Sequence, residues 1–189
     1  MTDTPSMKAL CRKAAFAARK EAHAEDLDKG ANAQLNAFLK GVGHGATIAA
    51  YMPIRTEVSP LPAITKAHAR GQRLCVPVVI EAGSPLEFHE WSPEAEMVEG
   101  AFGAMIPKEA EILLPDVVIA PLVAFDLSGY RLGYGGGFYD RSFEELSEIK
   151  KVQAVGFAYS AQEVMMVPRE ETDYPLDAII TERGILRFD

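Results

Sequence analysis

Ser128-Gly-Tyr-Arg-Leu-Gly-Tyr-Gly-Gly-Gly-Phe-Tyr-Asp-Arg141 is the organising feature of this 189-residue chain. It follows an apolar run at Val117–Phe125, which predicts one or two buried strands around Pro121, and it precedes a helical pattern from about Phe138 to Ile149. In a strand–loop–helix arrangement, backbone N–H groups can bind an anion where the helix begins. Glycines permit positive φ angles and a close approach of backbone to ligand. The stretch predicts either a phosphate site or a mobile surface loop.

Two charged residues of this stretch favour the phosphate site. Arg131 can make paired hydrogen bonds to phosphate oxygens, and Asp140 could hold a cation such as Mg²⁺. We expect Gly136, the middle of three consecutive glycines, to have a positive φ or to let the backbone approach a ligand closely. The spacing matches neither the dinucleotide pattern GxGxxG nor the P-loop pattern GxxxxGK[ST], so the general phosphate motifs do not apply.

The full string is more specific than its glycines. Together with Ala124-Phe125-Asp126 and Gly129, residues 131–141 resemble the signature of the 5-formyltetrahydrofolate cyclo-ligases, also called methenyltetrahydrofolate synthetases. The resemblance implies a ligase that forms a C–N bond and converts 5-formyltetrahydrofolate to 5,10-methenyltetrahydrofolate. ATP would be the co-substrate, Mg²⁺ the cofactor, and ADP and phosphate the products. In that chemistry the formyl oxygen accepts the γ-phosphoryl group, N10 attacks the activated carbon and phosphate leaves.

The resemblance also implies a set of site residues. Catalytic roles would fall to Arg131 and Tyr139, and metal binding to Asp140 and Asp173. The residues implied in ATP binding are Lys8, Arg12, Arg131, Leu132, Gly133, Tyr134, Gly135, Gly136, Gly137, Phe138 and Tyr139. The residues implied in binding the folate substrate are Met52, Glu57, Tyr134, Gly135, Gly136, Gly137 and Phe138.

The N-terminal segment predicts a helix from Ser6 to about Ala24, because it is rich in Ala, Lys, Arg and Glu. A buried stripe is expected at the helically spaced apolar positions, which are Leu10, Ala14 and Ala17. Lys8 and Arg12 are four residues apart, so their side chains emerge on one face. Such a pair is usually a solvated basic face, and only the resemblance implies that it binds ATP.

Glu57 follows a predicted strand at Ala46–Tyr51 and precedes a predicted helix at Ser59–Arg70. Its carboxylate either caps that helix or reaches into a cleft at the carboxyl edge of the sheet. In the resemblance Met52 and Glu57 hold the folate. A carboxylate can accept hydrogen bonds from the donor-rich edge of a pterin, while Met supplies a soft apolar wall.

Three features cannot be interpreted from local sequence patterns alone: residues 93–115, Trp91 and Asp173. Residues 93–115 look irregular, and the family's Gly-Ile-x-Glu-Pro segment is replaced here by Gly103-Ala-Met-Ile-Pro107, so the role of the family's Glu cannot be transferred. Trp91 is expected in the core rather than in a ligand-binding wall. Asp173 by itself is an ordinary polar loop residue, and only the resemblance makes it a metal ligand.

The remaining elements define the fold class. A helix is predicted at Asp26–Lys40, strands at Arg73–Ile80, Leu86–Trp91 and Val152–Phe157, and a final strand after Pro175. Strands separated by helices predict an α/β fold with a mostly parallel sheet and helices on both faces, a Rossmann-like three-layer arrangement. We expect one domain over residues 1–189.

Composition narrows the class of partner. The net charge of −8 argues against a nucleic-acid binder, since phosphate contacts need a basic surface. No signal peptide and no apolar run long enough to span a bilayer are apparent, so we expect a cytoplasmic monomer that binds small molecules and no membrane. Cys11 and Cys75 are expected as unpaired thiols, and the four scattered histidines argue against a zinc enzyme.

Two alternatives to this enzyme remain. A non-catalytic relative that binds nucleotide or RNA, or that acts as a regulatory domain, would be favoured by loss of Asp140 or Glu57, and both are present. The second alternative is a sugar-phosphate or acyl-group enzyme on the same fold. The long match to the cyclo-ligase signature argues against it.

Overall fold

Four helices and eleven strands occur within residues 4–188, the part of the chain that this computed structural model describes. The helices are α1 Thr4–Ala24, α2 Asp28–Lys40, α3 Leu61–Ala69 and α4 Phe138–Ile149. The strands are β1 Thr47–Ala50, β2 Arg73–Val78, β3 Glu87–Glu90, β4 Met97–Glu99, β5 Met105–Pro107, β6 Val117–Pro121, β7 Ala124–Phe125, β8 Arg131–Leu132, β9 Gln153–Phe157, β10 Ala178–Thr181 and β11 Gly184–Arg187.

A seven-stranded sheet forms the centre of the fold, with the strand order β11-β10-β9-β6-β1-β2-β3. The five inner strands are parallel, and the edge strands β11 and β3 are antiparallel to their neighbours. Two small hairpins, β4–β5 and β7–β8, lie outside this sheet. The predicted α/β class with a mostly parallel sheet is therefore confirmed.

Helices cover both faces of the sheet. Side chains of successive strand residues point to opposite faces, so Ile48 packs in the core beneath α2 and α3 while Ala49 packs in the core beneath α4. Leu35 of α2 and Phe143 of α4 are each fully buried in these two cores. The three-layer prediction is confirmed, because apolar residues on both faces of the inner strands need a covering layer.

The buried face of α1 is not the predicted one. Leu10 is 65% exposed, and the alanines at positions 14 and 17 are exposed as well. The side chains that α1 buries are Lys8, Ala15, Arg19 and Ala22. Apolar periodicity failed here because α1 turns its basic side toward the protein, where acidic partners compensate the buried charge.

Two further differences concern short strands. Residues 93–115 contain the β4–β5 hairpin, and the chain reverses after Thr181 to add β11. The sequence from Ala161 to Val167 suggests a short helix, but the structure has only a single 3₁₀ turn there, at Ser160–Gln162. Strands of three or four residues that are partly exposed show too few alternations to be recognised from sequence. Trp91 lies in the core, as predicted.

Gly156 tests the packing of the central sheet. A Cβ at this buried position would lie 2.8 Å from Leu122 Cδ2 and 2.9 Å from Leu176 Cδ1, so Gly156→Ala should lower the free energy of unfolding by about 1–3 kcal/mol. Gly45→Ala, where a Cβ would meet no atom within 4 Å, is the matched control and should change it by less than about 0.5 kcal/mol. Urea denaturation measures both. Equal stability of the two variants would contradict this packing.

Candidate functional site

A cleft of about 680 Å³ opens at the carboxyl ends of the inner parallel strands. This edge is where open α/β sheets bind their ligands, because the loops that follow the strands meet there. Its lining includes every site residue expected from the sequence: Lys8, Arg12, Met52, Glu57, Arg131, Leu132, Gly133, Tyr134, Gly135, Gly136, Gly137, Phe138, Tyr139, Asp140 and Asp173. Four segments that are distant in sequence therefore meet around one space, while the roles of their residues stay predictions.

The glycine-rich loop has a defined backbone. Gly135 and Gly137 have φ angles of 104° and 65°, in the left-handed region that other residues rarely adopt. Gly136 does not have a positive φ; a Cβ there would instead stand 2.6 Å from Cε2 of the Phe138 ring. Gly137 precedes α4 and has no side chain to accept hydrogen bonds from the first turn, so those N–H groups are available to a ligand.

The basic side of α1 forms one wall of the cleft. Lys8 Nζ lies 2.8 Å from Asp173 Oδ2 and 2.9 Å from Glu170 Oε2. Burial lowers the pKa of the Lys8 ammonium, but these two carboxylates outweigh it and raise the pKa above its ordinary value. Arg12 Nε donates to the carbonyl of Gly133 at 2.8 Å, which fixes its guanidinium beside the glycine-rich loop. Lys8 is buried and Arg12 is half-buried, and both have partners in the protein, so this face is not the solvated one that such a pair usually forms.

Arg131 is buried at the floor of the cleft. Its Nη2 lies 2.8 Å from Asp140 Oδ1, and its Nη1 donates to the carbonyl of Tyr174 at 2.8 Å. The guanidinium carbon stacks 5.2 Å from the centre of the Phe143 ring. Burial lowers the pKa of Arg131 and Asp140 opposes this, while arginine stays charged at any physiological pH. The arrangement holds a rigid cation at the start of α4.

Glu57 is buried and faces the cleft. One carboxylate oxygen accepts the backbone N–H of Ile54 at 2.8 Å, and the other accepts the hydroxyl of Tyr134 at 2.9 Å. Glu57 does not cap α3, which begins at Leu61 without a side-chain cap, so the structure decides against that alternative. Burial raises the pKa of Glu57, while the Ile54 N–H, the Tyr134 hydroxyl and Arg19 lower it.

Sequence reasoning missed Arg19. Its Nη1 donates to the Tyr134 hydroxyl at 2.7 Å, and its Nε donates to Thr56 Oγ1 at 3.1 Å. The periodicity of α1 contains a signal for it, because positions 8, 12, 15, 19 and 22 are spaced alternately by four and three residues and share one helical face. Arg19 follows Arg12 by seven residues, about two helical turns, and so continues the face that carries Lys8 and Arg12.

Sequence reasoning also missed an aromatic wall in the segment predicted to be irregular. Phe102 lies between β4 and β5, is 73% exposed, and has its ring centre 6.0 Å from that of Phe138 in an edge-on arrangement. Arg141 donates to the carbonyl of Gly136 and stacks 5.4 Å from the Phe138 ring. Ile106, where the family has Glu, lies in β5 next to Gly100 and brings no charge to the cleft.

Tyr139 lines the cleft at the start of α4. Burial and the nearby Glu57 carboxylate raise the pKa of its phenol far above the ordinary value. The hydroxyl is therefore protonated at neutral pH. It can donate a hydrogen bond to a developing charge, but it cannot serve as a base.

The two expected metal ligands each pair with a cation in this structure. Asp140 uses Oδ1 for Arg131 and for the N–H of Tyr174, and its Oδ2 has no hydrogen-bonding partner among residues 4–188. Both oxygens of Asp173 contact Lys8. Within those residues no group of three or more His, Cys, Asp or Glu side chains is arranged to hold a metal. Mg²⁺ usually takes one or two carboxylates together with substrate phosphates, so the free oxygen of Asp140 fits a metal that arrives with a nucleotide.

Two further expectations concern membrane-spanning helices and the pairing of the two cysteines. No helix within the described part of the chain is long and apolar enough to cross a membrane. Cys11 and Cys75 are both free, as expected.

Comparison with known proteins is consistent with this geometry. The 5-formyltetrahydrofolate cyclo-ligase of Escherichia coli K12 is 39% identical over 142 residues, which cover 71% of this chain and 77% of the relative. The NMR structure of Aquifex aeolicus 5,10-methenyltetrahydrofolate synthetase superposes with a TM-score of 0.77 and 32% identity over 96% of this chain and 92% of that one. The corresponding Mycoplasma pneumoniae structure gives a TM-score of 0.71 and 26% identity over 96% and 99%.

A model of the 5-formyltetrahydrofolate cyclo-ligase family matches residues 5–182, which is nearly the whole chain and includes every candidate site residue described above. The resemblance found in the glycine-rich stretch thus extends over the whole fold, and this chain belongs to the 5-formyltetrahydrofolate cyclo-ligase family.

Proposed function

We propose that this protein catalyses the ATP-dependent conversion of 5-formyltetrahydrofolate to 5,10-methenyltetrahydrofolate, with release of ADP and phosphate. One observation carries the proposal: the site residues implied by the family signature come from four separate segments and line a single cleft. Family membership and the named relatives support the same reaction. The direct test is the rise in absorbance of the methenyl product when protein, ATP, Mg²⁺ and 5-formyltetrahydrofolate are mixed.

The nucleotide occupies the end of the cleft between α1 and the glycine-rich loop. Lys8, Arg12 and Arg131 bring three cations to this end, and the first turn of α4 adds backbone N–H donors. Guanidinium groups suit phosphate oxygens because their N–H groups can form paired hydrogen bonds. When ATP binds, its phosphates replace Asp173 and Glu170 as the ion-pair partners of Lys8. Lys8 suits this role because its present ion pairs keep the ammonium charged and positioned in the cleft.

The folate occupies the end between Glu57 and the aromatic wall. The Glu57 carboxylate has capacity for further hydrogen bonds beside those from Ile54 and Tyr134, since two oxygens offer about four lone-pair positions. The pterin edge supplies N–H donors to it, and Met52 contributes an apolar contact. The formyl group then lies toward the glycine-rich loop, where the two substrates meet.

Catalysis depends on positioning and on charge stabilisation. The formyl oxygen attacks the γ-phosphorus and ADP leaves. N10 then attacks the formyl carbon and loses its proton, and the C–O bond breaks to release phosphate, which takes up that proton. Arg131 stabilises the charge on the phosphoryl oxygens, and the protonated hydroxyl of Tyr139 donates a hydrogen bond beside it. No covalent enzyme intermediate is needed, because holding the two substrates in contact supplies most of the effect.

Asp140 would hold Mg²⁺ through its unpartnered oxygen, and Asp173 would be a second ligand once phosphate replaces it as the partner of Lys8. The metal would neutralise phosphate charge. The proposal includes a monomer in a reducing cytoplasm, a location that the free thiols of Cys11 and Cys75 fit. Nothing in the fold or the comparisons favours the RNA-binding or regulatory alternative.

Glu57→Gln tests whether Glu57 binds the folate or the nucleotide. The substitution keeps the shape and removes the charge, so the affinity for 5-formyltetrahydrofolate should fall roughly ten- to a hundredfold, equivalent to about 1.5–3 kcal/mol, while ATP affinity changes little. Calorimetry with each ligand alone measures this. A loss of ATP affinity with unchanged folate affinity would reverse the assignment of the two ends.

Gly135→Ala tests the glycine-rich loop. Its φ of 104° is strained for alanine, and the new Cβ would stand 3.4 Å from Arg12 Nη2 in the space assigned to phosphate. Gly71→Ala is the matched control, because Gly71 has a φ of 84° but lies between α3 and β2 with no atom within 4 Å of a Cβ. Both variants should lose about 1–2 kcal/mol of stability, and only Gly135→Ala should lose turnover, by tenfold or more. Similar turnover in both variants would contradict the phosphate assignment.

Metal dependence is the third test. Excess EDTA should abolish formation of the methenyl product, and added Mg²⁺ should restore it. Asp140→Asn keeps the hydrogen bonds to Arg131 and Tyr174 available but weakens the metal site, so the Mg²⁺ concentration for half-maximal rate should rise tenfold or more. A full rate in EDTA would contradict the metal assignment.

A further inference from the structure

Arg19 is a buried cation for which the proposed reaction has no use. Its side chain is 1% exposed and does not line the cleft. Its guanidinium carbon lies 5.2 Å from the centre of the Phe16 ring and 5.6 Å from that of Tyr134, so two aromatic rings cover it. Burial of an arginine costs several kcal/mol unless polar partners compensate it. The identity of those partners indicates what Arg19 does.

The partners of Arg19 form a chain of hydrogen bonds that ends at Glu57. Arg19 Nη1 donates to the Tyr134 hydroxyl at 2.7 Å, and that hydroxyl donates to Glu57 Oε1 at 2.9 Å. A guanidinium can only donate and an ionised carboxylate can only accept, so the Tyr134 hydroxyl has a single allowed orientation. The direct distance from Arg19 Nη1 to Glu57 Oε1 is 3.9 Å. The chain fixes the position of the carboxylate and favours its ionised form.

A second contact fixes the backbone beside that carboxylate. Arg19 Nε donates to Oγ1 of Thr56, the residue immediately before Glu57. Arg19 therefore contacts the turn that carries Glu57 and, through Tyr134, the glycine-rich loop. Since Lys8 and Arg12 lie on the same face of α1, one rigid helix sets the geometry of both ends of the cleft.

We propose that Arg19 is a positioning residue for the folate end of the site: through Tyr134 and Thr56 it holds Glu57 ionised and aimed at the substrate, and it does not contact the substrate itself. This proposal rests on the proposed function, in which Glu57 accepts hydrogen bonds from the folate.

The charge environment of Glu57 gives the proposal a pH signature. The ionisable groups that face this carboxylate from the surrounding elements are Arg19, Arg55, Tyr51, Tyr134 and Tyr139. The tyrosines are neutral at physiological pH, so the two arginines supply the positive charge. Burial raises the pKa of Glu57 and Arg19 lowers it, so removal of Arg19 raises the pKa further. Folate binding that needs the ionised form must then be lost at a higher pH as the solution is acidified.

The first experiment compares Arg19→Met and Arg19→Lys with Lys20→Met, an exposed neighbour on the same helix. We expect Arg19→Met to raise KM for 5-formyltetrahydrofolate tenfold or more, to change KM for ATP less than threefold, and to shift the acidic limb of kcat/KM for folate to higher pH. Arg19→Lys should restore part of the affinity and of the pH profile, and Lys20→Met should match the wild type. A thermal melt of each variant checks folding; if Arg19→Met does not fold, the pH profile of Arg19→Lys decides.

The second experiment is a double-mutant cycle with Glu57→Gln. If Arg19 acts through Glu57, Arg19→Met in the Glu57→Gln background should change KM for folate little further. Fully additive losses, equal losses for ATP and folate, or a lower melting temperature with unchanged kinetics would each overturn the proposal. Turnover by the wild type is measured first: its absence would refute the proposed function, whereas active wild type with an unaffected Arg19→Met variant would refute only the role of Arg19.

Discussion

Buried charge must be paired, and this constraint organises the protein around its cleft. Lys8, Arg19, Glu57 and Arg131 are all less than 10% exposed, and each makes an ion pair or a charge-assisted hydrogen bond to another segment. Removing one partner would leave an uncompensated charge, at a cost far above that of a surface ion pair. The pairs connect α1, the turn after β1, the glycine-rich loop and the loop before β10. The site therefore adds polar contacts between the N-terminal helix and the rest of the fold to the apolar packing of Ala15 and Ala22.

The same pairs give the cleft two distinct ends. At one end the carboxylates of Glu170 and Asp173 pair with Lys8, and in the proposed complex phosphate would replace them. At the other end the Glu57 carboxylate accepts hydrogen bonds from neutral donors and has an arginine at a longer distance. A cation held by exchangeable partners suits an anionic ligand, and a carboxylate with unused acceptor positions suits a ligand rich in N–H groups. Between these ends the glycine-rich loop has left-handed backbone at Gly135 and Gly137, a conformation that lets backbone approach a ligand closely.

Residues 103–107 depart from the segment that the family resemblance implies, because Ile106 stands at the position expected for Glu. Ile106 packs within the β4–β5 hairpin, whose connecting turn carries the exposed Phe102. The wall that this hairpin contributes is therefore aromatic and apolar. The charge at this end of the cleft comes from Glu57 and from the arginines around it.

The sequence by itself determined the fold class and the bounds of α4, and through the family resemblance it identified many of the residues that line the cleft, although not Phe102. Strand and helix periods are local, and the string from Arg131 to Arg141 is long enough to specify a family on its own. Only the tertiary structure decided which face of α1 is buried, that Gly136 is limited by the Phe138 ring rather than by its φ angle, and that Glu57 binds Tyr134 rather than capping α3. Arg19 belongs to the same group. Apart from the contact between Gly136 and Phe138, these outcomes depend on partners that are 37 to 165 residues away along the chain. A local pattern carries no information about which distant group will compensate a buried charge.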